Sequence, residues 1–155
     1  MNWVRVDNRL VHGQVVETWL PYTGATSIIV ANDHVAEDVL TQQIMSLAIP
    51  QTTYTSFVTV CDLLHLQQTS MWTSSQSSTL VLFSNCEDAR RAYQCGFCFS
   101  AINIGNIHYS PGKRQLSPSV AINDQEEDCL RFFLESKVKL DFRCVPNDPV
   151  QVRFG

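Results

Sequence analysis

Residues 3–14 read WVRVDNRLVHGQ, and residues 27–34 read SIIVANDH. In both, a short apolar run stops abruptly at polar residues. Trp3–Val6 is apolar except for Arg5 and ends at Asp7-Asn8-Arg9. From Gly13 the period changes, because Val15, Val16, Trp19 and Leu20 recur at helical spacing. Pro21 and Gly24 are placed to end that helix. Ser27–Ala31 has the β-branched composition of a strand buried on both faces, and Asn32-Asp33-His34 is its turn. Strand, polar turn and helix are therefore expected in repeated succession.

The same alternation continues along the chain. Val35–Ala48 reads as a helix with Val35, Val39, Leu40, Ile44 and Leu47 on one side, closed by Pro50. Tyr54–Val58 reads as a strand, followed by a short helix to Leu66. Gln67–Ser78 is polar and Ser/Thr-rich, the composition of a surface loop. Thr79–Phe83 is a strand, and Ser84-Asn85 turns into a helix over 87–94 whose acidic start suits the helix dipole. Phe99–Ile104 is a strand ending at Gly105-Asn106, and His108–Ser119 reads as irregular. Asp124 opens a helix to Glu135, and Lys139–Val145 is a last strand before Pro146 and Pro149.

This pattern predicts one α/β domain over residues 1–155, with an open, mostly parallel sheet, helices on both faces and right-handed crossovers. In such sheets ligands bind outside the carboxyl ends of the strands. The turns Asp7–Gly13, Asn32–His34, Ser84–Asn85 and Gly105–His108 should share that edge, with the active-site loop after strand 1.

Composition narrows the function. The chain has 155 residues, 45% of them apolar, so it can bury a core without a disulfide or metal staple. Eleven Lys and Arg against fifteen Asp and Glu give a net charge of −4, which excludes an electrostatic nucleic-acid binder. No apolar run approaches a membrane span, and the first residues lack the apolar core of a signal peptide, so a cytoplasmic location is expected. The six cysteines then read as reduced thiols acting as small hydrophobes. Cys95 and Cys98 form a CxxC with no second pair at zinc-ribbon spacing, so neither a metal nor another cofactor is assigned.

The first turn carries the most chemistry. Asp7, Asn8, Arg9, His12, Gly13 and Gln14 lie between a buried strand and a helix start. The first N–H groups of a helix attract phosphate-like anions, and Gly13 would let the backbone approach one. Arg9 has the fork geometry that matches phosphate oxygens. His12 is a nitrogen nucleophile, and Asp7 is placed to orient its ring or to hold Arg9. The sequence has no GxSxG elbow, P-loop or GxGxxG, so direct use of ATP or a dinucleotide is not indicated. A His, an Arg and an anion-binding helix end suit a phosphoryl group carried on His. Asp33, His34, Ser84 and His108 are candidates for the rim or a partner surface. Three His on one edge also raise a metal site, but at no known short-motif spacing.

RVDNRLVHGQV (Arg5–Val15) resembles the signature of IIB components of the mannose/fructose/sorbose family of the bacterial sugar phosphotransferase system. SIIVANDHVAED, TLVLFSNCEDA, INIGNIHYSPGKRQLSPSV and VPNDP extend the resemblance in order along nearly the whole chain. The resemblance implies that His12 accepts a phosphoryl group, on Nδ1, from a phosphohistidine of a IIA protein or domain. It would then pass the group to a sugar entering through membrane IIC and IID components. Arg9 would stabilise the phosphoryl group, Asp7 would be the acidic residue of the loop, and Asn8, Gly13 and Gln14 would line the anion cradle. Many members carry a second acidic residue where this chain has Asn8. The resemblance also implies peripheral association with the membrane transporter and leaves a homo-oligomer open. The alternative is a binding-only or regulatory IIB-like module that docks a IIA-type partner without phosphorylating sugar.

Overall fold

The structure, a computed structural model, describes residues 2–67 and 78–154. Six parallel strands lie in the order β3-β2-β4-β1-β5-β8: β1 Asn2–Asp7, β2 Ser27–Ala31, β3 Tyr54–Val58, β4 Thr79–Phe83, β5 Ala101–Asn106 and β8 Lys139–Asp141. A separate antiparallel pair joins β6 Arg114–Ser117 to β7 Val120–Ile122. The helices are α1 Leu20–Thr23, α2 Val39–Ser46, α3 Leu63–Gln67, α4 Cys86–Gln94 and α5 Asp124–Glu135. This is the α/β domain the alternation predicts.

Side chains alternate across the sheet and build two cores. Ile29, Ala31, Val81 and Phe83 face one layer, which contains Ala89 and Ala92 of α4 and Leu130 and Phe133 of α5. Ile28, Val30, Leu80 and Leu82 face the other, which contains Val15, Trp19, Leu20 and Val35. A central parallel strand must be apolar on both sides, and SIIVA and TLVLF meet that demand.

Four elements differ from the sequence reading. The helix after the first turn is a π turn over Val15–Trp19 running into α1. Pro21 sits inside its first turn, where a missing N–H costs little, and Gly24 ends it at φ +64°. The expected helix over 35–48 is broken at Asp38, whose side chain accepts from the Thr41 N–H at 3.1 Å and so starts α2 afresh. The stretch 108–119, read as irregular, contains most of the β6-β7 hairpin. There Gln115 Nε2 donates to the Ser117 carbonyl across a slip in register. The last strand stops at Asp141 rather than Val145, because the N–H groups of Arg143 and Cys144 turn to the carboxylates of Asp141 and Asp148. Most of the Gln67–Ser78 loop, residues 68–77, lies outside the described residues.

Candidate active site

Because the main-sheet strands are parallel, all their carboxyl ends meet at one edge. β1 lies between β4 and β5 there, and Asp7 is its last residue. Asp7 is fully buried and anchors the site. Its Oδ2 receives the Arg5 guanidinium at 2.9 Å and pairs with His12 Nε2, also at 2.9 Å. Its Oδ1 accepts from the Arg9 backbone N–H at 3.0 Å and from Arg9 Nε at 3.3 Å. Burial pushes the Asp7 carboxyl upward, but the bonds from His12, the Arg9 backbone and Arg5 outweigh it and hold the group at about 2.

That ionisation decides the tautomer of His12. A carboxylate only accepts, so the ring nitrogen facing it must carry the hydrogen. In the neutral imidazole the proton is therefore on Nε2 and the lone pair on Nδ1. Nδ1 has no partner among the described residues. The ring is about one-fifth exposed, enough to be reached from solvent.

The loop pays in backbone conformation for bringing the ring back over Asp7. Leu10 has φ +58°, a region L-residues avoid at a cost of about 1–2 kcal/mol. It is held there by its N–H bond to the Asp7 carbonyl at 2.9 Å and by burial of its side chain beside Val15 and Leu82. The π turn follows at once, and such turns occur often at functional sites.

Arg9 is half-exposed, and its guanidinium also reaches Gln14 Oε1 at 3.1 Å, so one face is tied down while the rest meets solvent. Asn8 joins the loop to β5 through its N–H to the Asn106 carbonyl at 3.1 Å. Gly13 is exposed, and a Cβ there would meet nothing within 4 Å. The protein's own packing thus leaves the space over Gly13 open.

The other four candidates lie on the same edge but outside this network among the described residues. Asp33 accepts the Val60 N–H at 2.9 Å and pairs with Arg91 at 2.8 Å, which ties two loops and α4 together. His34 is almost fully exposed, 3.8 Å from Asp38. Ser84 accepts from the Asn32 and Asn85 side chains. His108 is exposed, and its carbonyl takes a bond from Lys113.

Arg5, not singled out as a site residue from sequence, is the structure's main addition. It is 1% exposed, bonded to Asp7 and Asn103, with its guanidinium 5.0 Å from the Trp19 ring centroid. A Cβ on Gly105 would overlap the Arg5 guanidinium, so glycine is required beside it. A charged residue inside an apolar strand was the available signal. The cysteines also need revision: Cys86 and Cys129 are buried, with thiols pushed up by burial, the latter to about 12, but Cys61, Cys95 and Cys98 are exposed.

Comparison with known proteins follows the same lines. The family described as PTS system sorbose subfamily IIB component matches residues 1–152. The N-acetylgalactosamine-specific phosphotransferase enzyme IIB component 1 of Escherichia coli K12 is 31% identical, covering 93% of this chain and 90% of that protein. The sorbose-specific EIIB component of Klebsiella pneumoniae is 30% identical, covering 94% and 87%. The crystal structure of the Klebsiella IIBSor domain superposes with a TM-score of 0.86 at 29% identity, covering 95% of this chain and 89% of that one. That of the Escherichia coli N-acetylgalactosamine-specific IIB component 1 gives 0.85 at 29%, covering 97% and 98%.

Proposed function

From the premise that this chain belongs to the sorbose-subfamily IIB components of the phosphotransferase system, we propose that His12 is its phosphoryl acceptor and Nδ1 the atom that bonds phosphorus. The observation that carries the reading is the 2.9 Å contact between His12 Nε2 and buried, ionised Asp7, which puts the lone pair of the neutral ring on Nδ1.

The Nδ1 lone pair attacks the phosphorus of a phosphohistidine on a IIA protein. The donor N–P bond breaks, and its electron pair returns to the donor ring. As Nδ1 gives up its lone pair, the His12 ring becomes positive while its Nε2 proton stays in place. Asp7 then faces a full positive charge at short range, which favours the phosphorylated state. Arg9, half-exposed, meets the charge spread over the three transferring oxygens. The Gly13 backbone, with open space above it, admits the group without steric cost. Positioning and charge stabilisation are sufficient for such a transfer.

The onward step passes the phosphoryl group to a sugar hydroxyl during uptake through IIC and IID, with this chain working at the cytoplasmic face. A IIA donor is supported by a 26% identical relative, the mannose-specific EIIAB component of Escherichia coli K12, of which this chain spans 44%. No helix among the described residues is long and apolar enough to cross a membrane, which suits a peripheral component.

The test is phosphorylation of the purified chain by phosphoenolpyruvate, the general phosphotransfer proteins and a family IIA. Intact mass, acid lability and peptide mapping should place one acid-labile phosphoryl group on His12. His12→Gln should fold normally and take no label. A histidine label that persists in His12→Gln overturns the site. An unlabelled wild-type chain, beside a IIA competent on another IIB, overturns the carrier role in favour of binding alone.

A further inference from the structure

Two residues far along the chain touch three groups of the first-loop region. The Trp19 indole N–H donates to the Cys144 carbonyl at 2.8 Å. The Arg143 carbonyl accepts from Asn103 Nδ2 at 2.9 Å, and Arg5 Nη1 lies 3.5 Å from the same oxygen. The Cys144 thiol lies 3.7 Å from Gln14 Oε1, the atom that also receives Arg9.

This segment is built, not merely laid across the surface. The Arg143 guanidinium bonds Asp141 and the Pro146 carbonyl, and it sits 5.4 Å from the ring centroids of both Trp19 and Tyr22. Asp148 accepts the N–H groups of Cys144 and Val150 at 3.0 Å each. Trp19 itself is 1% exposed. One of its contacts is the Arg5 guanidinium, and Arg5 shares with His12 a single oxygen, Asp7 Oδ2.

We propose that Trp19 and the Arg143–Cys144 segment form a positioning clasp for phosphoryl transfer, acting on His12 through Arg5 and Asp7. The inference rests on His12 being the acceptor. The physical argument concerns degrees of freedom. Arg is a long side chain, and its guanidinium directs Asp7 only if its own plane is fixed. Asn103 and Gly105 define one boundary of its slot, and Trp19 supplies the aromatic wall. The indole has one hydrogen-bonding atom, and the clasp holds it. Without that bond the wall is free to tilt, the guanidinium to shift, and Asp7 Oδ2 to lose its alignment with Nε2. Misplacement of about 1 Å at a reacting group can cost a hundredfold in rate. Trp19 and the clasp touch no reacting atom, so they are positioning and not catalytic elements.

The experiment compares the full chain with Trp19→Phe, Asp148→Ala and a control, Val30→Ala. Val30 lies in the same core cluster but bonds to nothing in the site. Three readouts are taken: thermal midpoint, single-turnover phosphorylation by phosphorylated IIA, and the ring ¹⁵N shifts of His12, assigned with His12→Gln. Trp19→Phe keeps an aromatic wall but loses the N–H. It should lower the transfer rate about tenfold and show His12 as a mixture of tautomers in place of Nε2–H alone. Asp148→Ala, at the surface end of the clasp, should move both readouts the same way by about threefold in rate. Val30→Ala should lose thermal stability and change neither. The inference is overturned if Trp19→Phe and Asp148→Ala accept phosphoryl at the wild-type rate with wild-type His12 shifts, or if Val30→Ala matches them. If Trp19→Phe does not fold, the Asp148→Ala result decides alone. A wild-type chain that takes no label on His12 fails the reading of the site instead, a distinct result.

Discussion

Asp7 is where one residue controls most. A buried carboxylate is costly, and an Arg–carboxylate pair inside a protein often adds nothing to stability over apolar side chains. Here the carboxylate is shared by Arg5, Arg9 and His12, and that arrangement orients a ring. Its folded value of about 2 lies below the ~3.9 of an unfolded chain, so folding favours the ionised form. The stability this contributes, about 2 kcal/mol, is fully present above roughly pH 5 and is lost as pH falls toward 2. Urea midpoints measured from pH 7 downward should fall more steeply for the wild type than for Asp7→Asn, which has no such group to titrate. Equal slopes would place the acid sensitivity elsewhere. Asp7, Arg9 and His12 were all legible from sequence because they crowd one turn. The role of Arg5 was not, since Asn103, Gly105 and Trp19 come from separate parts of the chain.

At the scale of elements, local chemistry explains the boundaries better than apolar period does. The α5 helix begins with a reciprocal cap: Asn123 Oδ1 accepts the Glu126 N–H at 2.8 Å, and Glu126 accepts the Asn123 N–H at 3.0 Å. Asn123→Ala should cost about 1 kcal/mol in a urea titration, without altering phosphoryl acceptance. The Val35–Ala48 stretch shows the opposite case. Its apolar spacing suggests one helix with one packed face, but Asp38 caps its own helix, and Val39, Leu40, Ile44 and Leu47 are exposed. Period alone cannot say whether a neighbouring element is there to cover a face. The β6-β7 hairpin escaped notice for a related reason, because Pro111, Gly112 and Pro118 hide two very short strands.

Across the whole molecule, stability and site geometry come from the same sheet. Phe83 ends β4 fully buried in the layer that α4 and α5 cover. Phe83→Ala should cost about 3–5 kcal/mol, read as a lowered denaturant midpoint. The apolar runs and their spacing were enough to determine a parallel α/β domain, because strands buried on both faces need Val, Ile and Leu in succession and helices between them. The polar turn at Asp7–Gln14 was enough to point to the candidate site, because parallel strands send every such turn to one edge. Only the tertiary structure decided which nitrogen of His12 meets Asp7, since that depends on how the loop brings the ring back over the buried carboxylate. It alone joined Arg143 and Cys144 to Trp19 and Arg5, across more than a hundred residues of chain. Contacts of that kind leave no periodic or local trace: they are made by side chains that meet because separate strands and a tail end at the same edge.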